Sequence, residues 1–107
     1  MSLPNKVTIV EVGPRDGFQM EQTFISTDKK IEIINAISRT GVPVVETTSF
    51  VNPRAIPQMA DAAEVMERID RAPGVRYTVL IPNIKGAERA LQSEVDGLRL
   101  VVCVSET

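Results

Sequence analysis

Four short runs rich in β-branched residues punctuate the chain, at Val7 to Val12, Val42 to Thr47, Tyr77 to Ile81 and Leu98 to Val104. Each predicts a buried strand. The stretches between them carry helical spacing instead. Ile31, Ile34 and Ile37 recur every third position behind a Ser26/Thr27 cap with Asp28 in the first turn, and Gly41 closes that helix. Ala62, Val65, Met66 and Ile69 fall at i, i+3, i+4 and i+7 and stop before Pro73-Gly74, which is the clearest helical stripe of the three. A third helix runs from an Asn83 cap through Ala87, Ala90 and Leu91, with Gly86 in its first turn. The order strand, helix, strand, helix, strand, helix, strand predicts an α/β fold with a parallel sheet built by right-handed crossovers.

Two architectures satisfy that alternation: an open doubly wound sheet, or the first half of an eight-stranded (β/α)8 barrel. An open sheet usually places a glycine-rich phosphate loop after its first strand. Here that segment is Gly13-Pro14-Arg15-Asp16-Gly17, with a charged pair where such a loop needs bare backbone. The barrel is therefore favoured. A complete barrel needs about 250 residues, so these 107 residues read as a single partial domain over 1–107, the N-terminal half of a barrel. Met1-Ser2-Leu3 reads as a leader, and no element is expected there.

Composition narrows the function classes. At 43% hydrophobic and 24% charged, the chain is ordinary for a globular protein and not for a disordered one. Its net charge of −2 comes from acids and bases scattered along the sequence, which leaves no basic stripe for nucleic acid. No apolar run approaches the ~20 residues that span a bilayer, and the start lacks the layout of a secretory signal, so a cytoplasmic protein is expected. The single cysteine, Cys103, sits in the last apolar run and reads as a small packed hydrophobe. With no histidine, the usual zinc ligand sets are missing, and metal chemistry must begin with oxygen ligands.

In parallel α/β folds the C-terminal strand ends face the ligand. Here all four ends are polar: Arg15, Asp16 and Gln19 after the first strand, Glu46 to Ser49 at the second, Asn83 after the third, Ser105 and Glu106 after the fourth. Asn83, Ser105 and Glu106 are adequately explained as ordinary turn and cap residues. Arg15 and Asp16 lie between two glycines behind a proline, which forces a tight turn that presents opposite charges side by side. Asp16 can offer oxygen to a hard divalent cation, and Arg15 a fork of donors to a carbonyl or enolate oxygen; the bland alternative is a weak surface ion pair. Glu46 lies inside a Val-rich strand, where simple alternation points it to the same side as Val44 and Thr48. A buried lone acid is costly, so Glu46 is expected to meet Arg15 or a substrate hydroxyl, the alternative being a purely structural salt bridge. Glu11 is expected to steady Arg15.

Several segments carry a family resemblance. The run from Val10 through Gly13-Pro14-Arg15-Asp16-Gly17-Phe18-Gln19, then Glu46-Thr47-Thr48-Ser49-Phe50-Val51, Pro57-Gln58-Met59 and Pro82-Asn83-Ile84-Lys85-Gly86, closely resembles 3-hydroxy-3-methylglutaryl-CoA lyases over almost the whole chain. Arg-Asp-Gly-x-Gln alone also occurs in isopropylmalate and homocitrate synthases, but Gly-Pro before it and Glu-Thr-Thr-Ser-Phe are more typical of the lyases. The resemblance implies a TIM barrel that cleaves 3-hydroxy-3-methylglutaryl-CoA, or a related 3-hydroxyacyl-CoA, in the first case to acetyl-CoA and acetoacetate, with Mg2+ or Mn2+. It further implies that Asp16 is a metal ligand, that Arg15 stabilises the enolate oxygen, that Glu46 lies near the substrate, and that Gln19 and Ser49 contact it. A homo-oligomer is expected. Phe18 and Met20 replace the Leu and Asn usual in the family, which points to an altered substrate side of this loop. The family's metal-binding histidines, a further Asn ligand and its catalytic Cys have no counterpart in these residues, and Cys103 does not match that cysteine. The competing readings are a Claisen-type synthase acting on a 2-oxo acid and a non-catalytic half-barrel.

Overall fold

The computed structural model describes residues 3–102 and 104. Four strands, β1 (Val10–Glu11), β2 (Val44–Ser49), β3 (Arg76–Ile81) and β4 (Gly97–Leu100), form one parallel sheet in the order β1-β2-β3-β4. Between them lie α1 (Thr27–Ser38), α2 (Ala62–Arg68) and α3 (Ile84–Ala90). Strands that add in chain order keep every right-handed crossover on one face, whereas a doubly wound sheet reverses direction at a switch point. This winding is that of a barrel wall, and it removes the open-sheet alternative.

The core fills the space between the sheet and the helices. Ile34, Ala62, Val65 and Met66 from the helices pack with Val45, Tyr77 and Val79, all at most 1% exposed. Ser26 caps α1 by accepting a hydrogen bond from the Lys29 amide at 3.2 Å, and Asn83 caps α3 by accepting from the Gly86 amide at 2.9 Å, as the sequence predicts. Gly41 follows α1 with φ of +88°, a conformation that disfavours side chains with a Cβ. Ile69 remains buried, although α2 ends one residue earlier and Ile69 is extended.

The strands depart from the sequence boundaries in instructive ways. The first and last runs pair over only two and four residues, and Val7 and Ile9 are 74% and 64% exposed. Both are edges of the described sheet, where only one side of a strand finds hydrogen-bond partners. The fourth predicted strand extends to Val104 and includes Cys103, which lies outside the described residues, as do Ser105 and Glu106. Two tight segments escape periodicity altogether: a π-helical turn over Gly13–Gly17 and a 3-10 turn over Pro57–Met59.

The larger correction concerns β2. Its register against β3 shifts between Glu46 and Thr48, so Glu46 pairs with Thr78 but Thr48 pairs with Val79. Thr47 is the extra residue of a bulge, and the side-chain alternation reverses beyond it. Glu46 consequently shares the inner face with Thr78, Leu80 and Ser49. Thr48 does not share it, and its hydroxyl donates to Met59 Sδ at 3.6 Å in the helical layer.

Gly86 has a packing reason as well as a place in the cap. A Cβ built there would lie 2.8 Å from the Phe50 carbonyl oxygen and 2.9 Å from Pro82 Cδ, neither of which belongs to a flexible chain. Gly86→Ala should therefore force α3 away from the loop after β2 and destabilise the protein by about 1–3 kcal/mol. Denaturant unfolding of the variant checks this, and an unchanged midpoint would show that the loop yields freely.

Candidate active site

The loop after β1 is built to hold charge at the mouth of the sheet. Its backbone turns back on itself, with the amides of Arg15 and Asp16 both donating to the Val12 carbonyl at 3.1 and 2.7 Å. Pro14 is buried at the start of the turn, where its fixed φ suits a helical entry and its missing amide donor is not needed. Glu11 Oε1 accepts from the Gly13 amide at 2.8 Å. The sequence expectation that Glu11 steadies Arg15 is thereby corrected: β1 pairs Glu11 with Val45, on the helix side, and its carboxylate braces the turn backbone instead.

Arg15 and Glu46 meet as expected. Arg15 Nε donates to Glu46 Oε2 at 2.7 Å, with the Glu46 side chain 1% exposed and that of Arg15 20%. Arg15 Nη1 also lies 3.4 Å from Asp16 Oδ1, a long contact to a carboxylate that is 58% exposed. Asp16 Oδ2 makes no hydrogen bond among the described residues. Two carboxylates thus flank one guanidinium in opposite environments. Glu46 is dry and held by arginine; Asp16 is wet and open on one oxygen.

Ser49 ends β2 on the Glu46 side of the sheet and is 1% exposed, because the bulge at Thr47 returns it to that face. Gln19 follows the π turn, and its Oε1 is buried without a hydrogen-bond partner among the described residues. Phe18 does not serve the substrate side. It is buried among the core hydrophobics at 9% exposure, so the departure from Leu at this position is a matter of packing. Met20 is 75% exposed.

Arg99 is the residue that the sequence reading missed. In β4 it pairs with Leu80, which puts it on the inner face, and its Nε lies 3.2 Å from Glu46 Oε1. That oxygen nevertheless lacks a properly directed hydrogen bond, so the pair is a close electrostatic contact rather than a donor-acceptor fit. A signal was available. An arginine between Leu98 and Leu100 in a strand-forming run has its neighbours on one face and itself on the other.

Among the described residues no three His, Cys, Asp or Glu side chains gather closely enough to hold a metal ion. Glu46 is committed to two guanidinium groups, which leaves Asp16 as the one site carboxylate with an oxygen to offer. Its chemistry suits a hard divalent cation as a single ligand. The cleft of about 540 Å3 between α2 and α3, lined by Phe50, Met66, Arg71, Arg89 and Glu94 among others, includes none of these groups. It is a seam in the outer helical layer.

Comparison with known proteins places this geometry. The chain is 49% identical over 105 residues to the mitochondrial hydroxymethylglutaryl-CoA lyase of Gallus gallus and 51% identical to the cytoplasmic 3-hydroxy-3-methylglutaryl-CoA lyase of Rattus norvegicus. Each match covers 98% of this chain but only 35% and 31% of the relative, so the chain spans about a third of the length of the relatives it matches. Among solved structures, the Bacillus subtilis HMG-CoA lyase superposes with a TM-score of 0.92 at 48% identity, over 99% of this chain and 36% of that one. An Acinetobacter baumannii HMG-CoA lyase in complex with coenzyme A and 3-methylmalate gives 0.90 at 45% identity, over 92% and 32%. These neighbours are TIM barrels, and the four strands described above are the N-terminal part of that fold. With the HMGL-like family model matched from residue 6 to residue 107, the chain belongs to the HMGL-like family.

Proposed function

We propose that the protein carrying this chain is a divalent-metal-dependent carbon–carbon lyase. Its substrate is 3-hydroxy-3-methylglutaryl-CoA or a closely related 3-hydroxyacyl-CoA, and its products are acetyl-CoA and acetoacetate. The observation that carries the reading is the convergence of Arg15, Asp16 and Glu46 at one mouth of a sheet that superposes on lyases of this family. In the retro-Claisen reaction a base takes the proton of the tertiary hydroxyl and the oxygen's electrons form a carbonyl. The carbon–carbon bond breaks, and its electron pair passes to the acetyl-CoA fragment as an enolate, which then takes a proton at carbon.

Glu46 holds Arg15 by Nε, which aims the rest of the guanidinium at the mouth, where its donors can receive the negative oxygen of the enolate. Such donors act on charge that develops only as the bond breaks, so they lower the barrier more than they tighten binding. Gln19 and Ser49 serve as substrate contacts in this reading, supported by the unpartnered Gln19 Oε1 and the inward face of Ser49. Lyases of the family depend on a divalent metal. Mg2+ or Mn2+ bound by Asp16 would supply a Lewis acid for the substrate oxygens, and a full coordination sphere needs ligands beyond the described residues.

We further propose a cytoplasmic homo-oligomer that takes an acyl-CoA as its small-molecule partner. The compartment rests on the relatives named cytoplasmic. Leu98, Leu100, Val101 and Val102, between 40% and 71% exposed, lie at the open β4 edge that the rest of a barrel wall would cover, so the association rests on the family likeness alone. No helix among the described residues is long and apolar enough to cross a membrane.

The test is acetoacetate release from HMG-CoA by the natural protein that carries this chain, before and after chelation. Turnover should vanish on chelation and return with Mg2+ or Mn2+, and Asp16→Asn, which weakens a direct ligand, should cost at least the roughly 10- to 100-fold in metal affinity or activity that follows loss of an outer-shell partner. Turnover that ignores both chelator and substitution would end the proposal.

A further inference from the structure

Glu46 is a carboxylate at 1% exposure with a guanidinium against each oxygen: Arg15 at 2.7 Å on Oε2 and Arg99 at 3.2 Å on Oε1. The two arginines come from opposite sides of the described sheet, one from the loop after β1 and the other from β4, across β3. Arg15 has a second partner in Asp16, but Arg99 donates no hydrogen bond among the described residues, and its side chain is 53% exposed. Among the described residues, the one close charged neighbour of this inner-face arginine is a buried acid of the site. A single donor to one oxygen leaves a carboxylate free to rotate about its last torsion, whereas a cation close to the other oxygen as well disfavours that rotation by charge attraction.

We infer that Arg99 is a positioning residue: it holds Glu46 from the oxygen that Arg15 does not use, and so fixes the direction in which Arg15 faces the mouth. The inference rests on the lyase reading for its catalytic consequence but not for its geometric one. Because Arg99 meets Glu46 Oε1 by charge and not through a directed hydrogen bond, lysine at the same position keeps the charge, but as a compact, more strongly hydrated ammonium on a flexible stem, and so holds the carboxylate only in part.

The experiment uses the natural protein that carries this chain, with Arg99→Met and Arg99→Lys, and reads two quantities. The first is solvent exchange of the Arg15 Nε proton, followed by 15N NMR, which does not depend on any activity. It should be faster in R99M than in the parent, with R99K between them. The second is the KM-against-kcat split for HMG-CoA cleavage. R99M should lower kcat on the order of 10- to 100-fold with KM nearly unchanged, and R99K should recover part of it. If the parent cleaves no HMG-CoA but R99M still accelerates Arg15 exchange, the lyase reading fails and the positioning role stands. If Arg15 exchange is the same in all three proteins, the role of Arg99 is overturned whatever the kinetics show. A folded R99M with a full kcat would overturn the catalytic consequence.

Discussion

Replacing Glu46 by alanine should lower the stability of the natural protein by about 3 kcal/mol, the lower end of what is lost when one member of a buried ion pair is removed. The cause is what remains. Arg15 keeps a largely dry side chain with no acceptor for Nε, and Arg99 then faces it across the vacated space with like charge. The lower end applies because Arg15 is 20% exposed and recovers some hydration. The same variant should lose about 100- to 1,000-fold in kcat, the usual consequence of misplacing one donor to a developing oxyanion. Glu46→Gln separates the two effects. An amide oxygen still accepts from Arg15 Nε, so much of the stability should return while the neutral group holds the guanidinium pair less firmly. Urea midpoints and steady-state kinetics measure both. An alanine variant as stable as the parent would mean that the acid is not effectively buried in the working protein.

The second large effect lies outside the Arg15–Glu46 cluster. Lys30 is 2% exposed, and its ammonium pairs with Asp61 Oδ1 at 2.7 Å, donates to the Gln58 carbonyl and sits 4.4 Å from the centre of the Phe24 ring. Asp61 in turn accepts from the Thr27 hydroxyl at 2.7 Å, so one buried pair ties the start of α1 to the residue just before α2. Lys30→Met preserves the aliphatic stem but leaves Asp61, 11% exposed, without its cation. The expected loss is about 3–5 kcal/mol, and the double change Lys30→Met with Asp61→Leu should restore a good part of it, because two apolar groups carry no desolvation cost. If the double variant were no more stable than the single one, the contribution of Lys30 would be packing over Phe24 rather than charge. Neither residue is hydrogen-bonded or ion-paired to Arg15, Asp16 or Glu46, so per-molecule activity of the folded single variant should be unchanged.

How much of this was legible beforehand differs residue by residue. The Ser26 and Asn83 caps and the α2 stripe were readable because each depends on atoms within four positions along the chain. Arg15, Asp16 and Glu46 were readable as a group because charged residues stand where local structure needs none, and the pairing of Arg15 with Glu46 follows from the cost of burying an acid alone. The bulge at Thr47 was not readable. Nothing in the run Val44 to Ser49 marks an extra residue, and only the register against β3 reveals it. For the same reason simple alternation puts Thr48 on the wrong face. The motif around Phe18 suggests a substrate-side change, but its side chain leaves the π turn toward the core.

The sequence by itself determined the alternation of strands and helices, the tight charged turn and the chemical kind of group available at the mouth. These depend on periodicity, caps and turn residues, whose physics is local. Only the tertiary structure decided that the sheet winds in one direction, that Ser49 rather than Thr48 joins Glu46, that Glu11 braces Gly13, and that Arg99 reaches Glu46 from β4. Those outcomes depend on strand order and register, which are set by the packing of all the elements together and leave no mark on the spacing within any one of them.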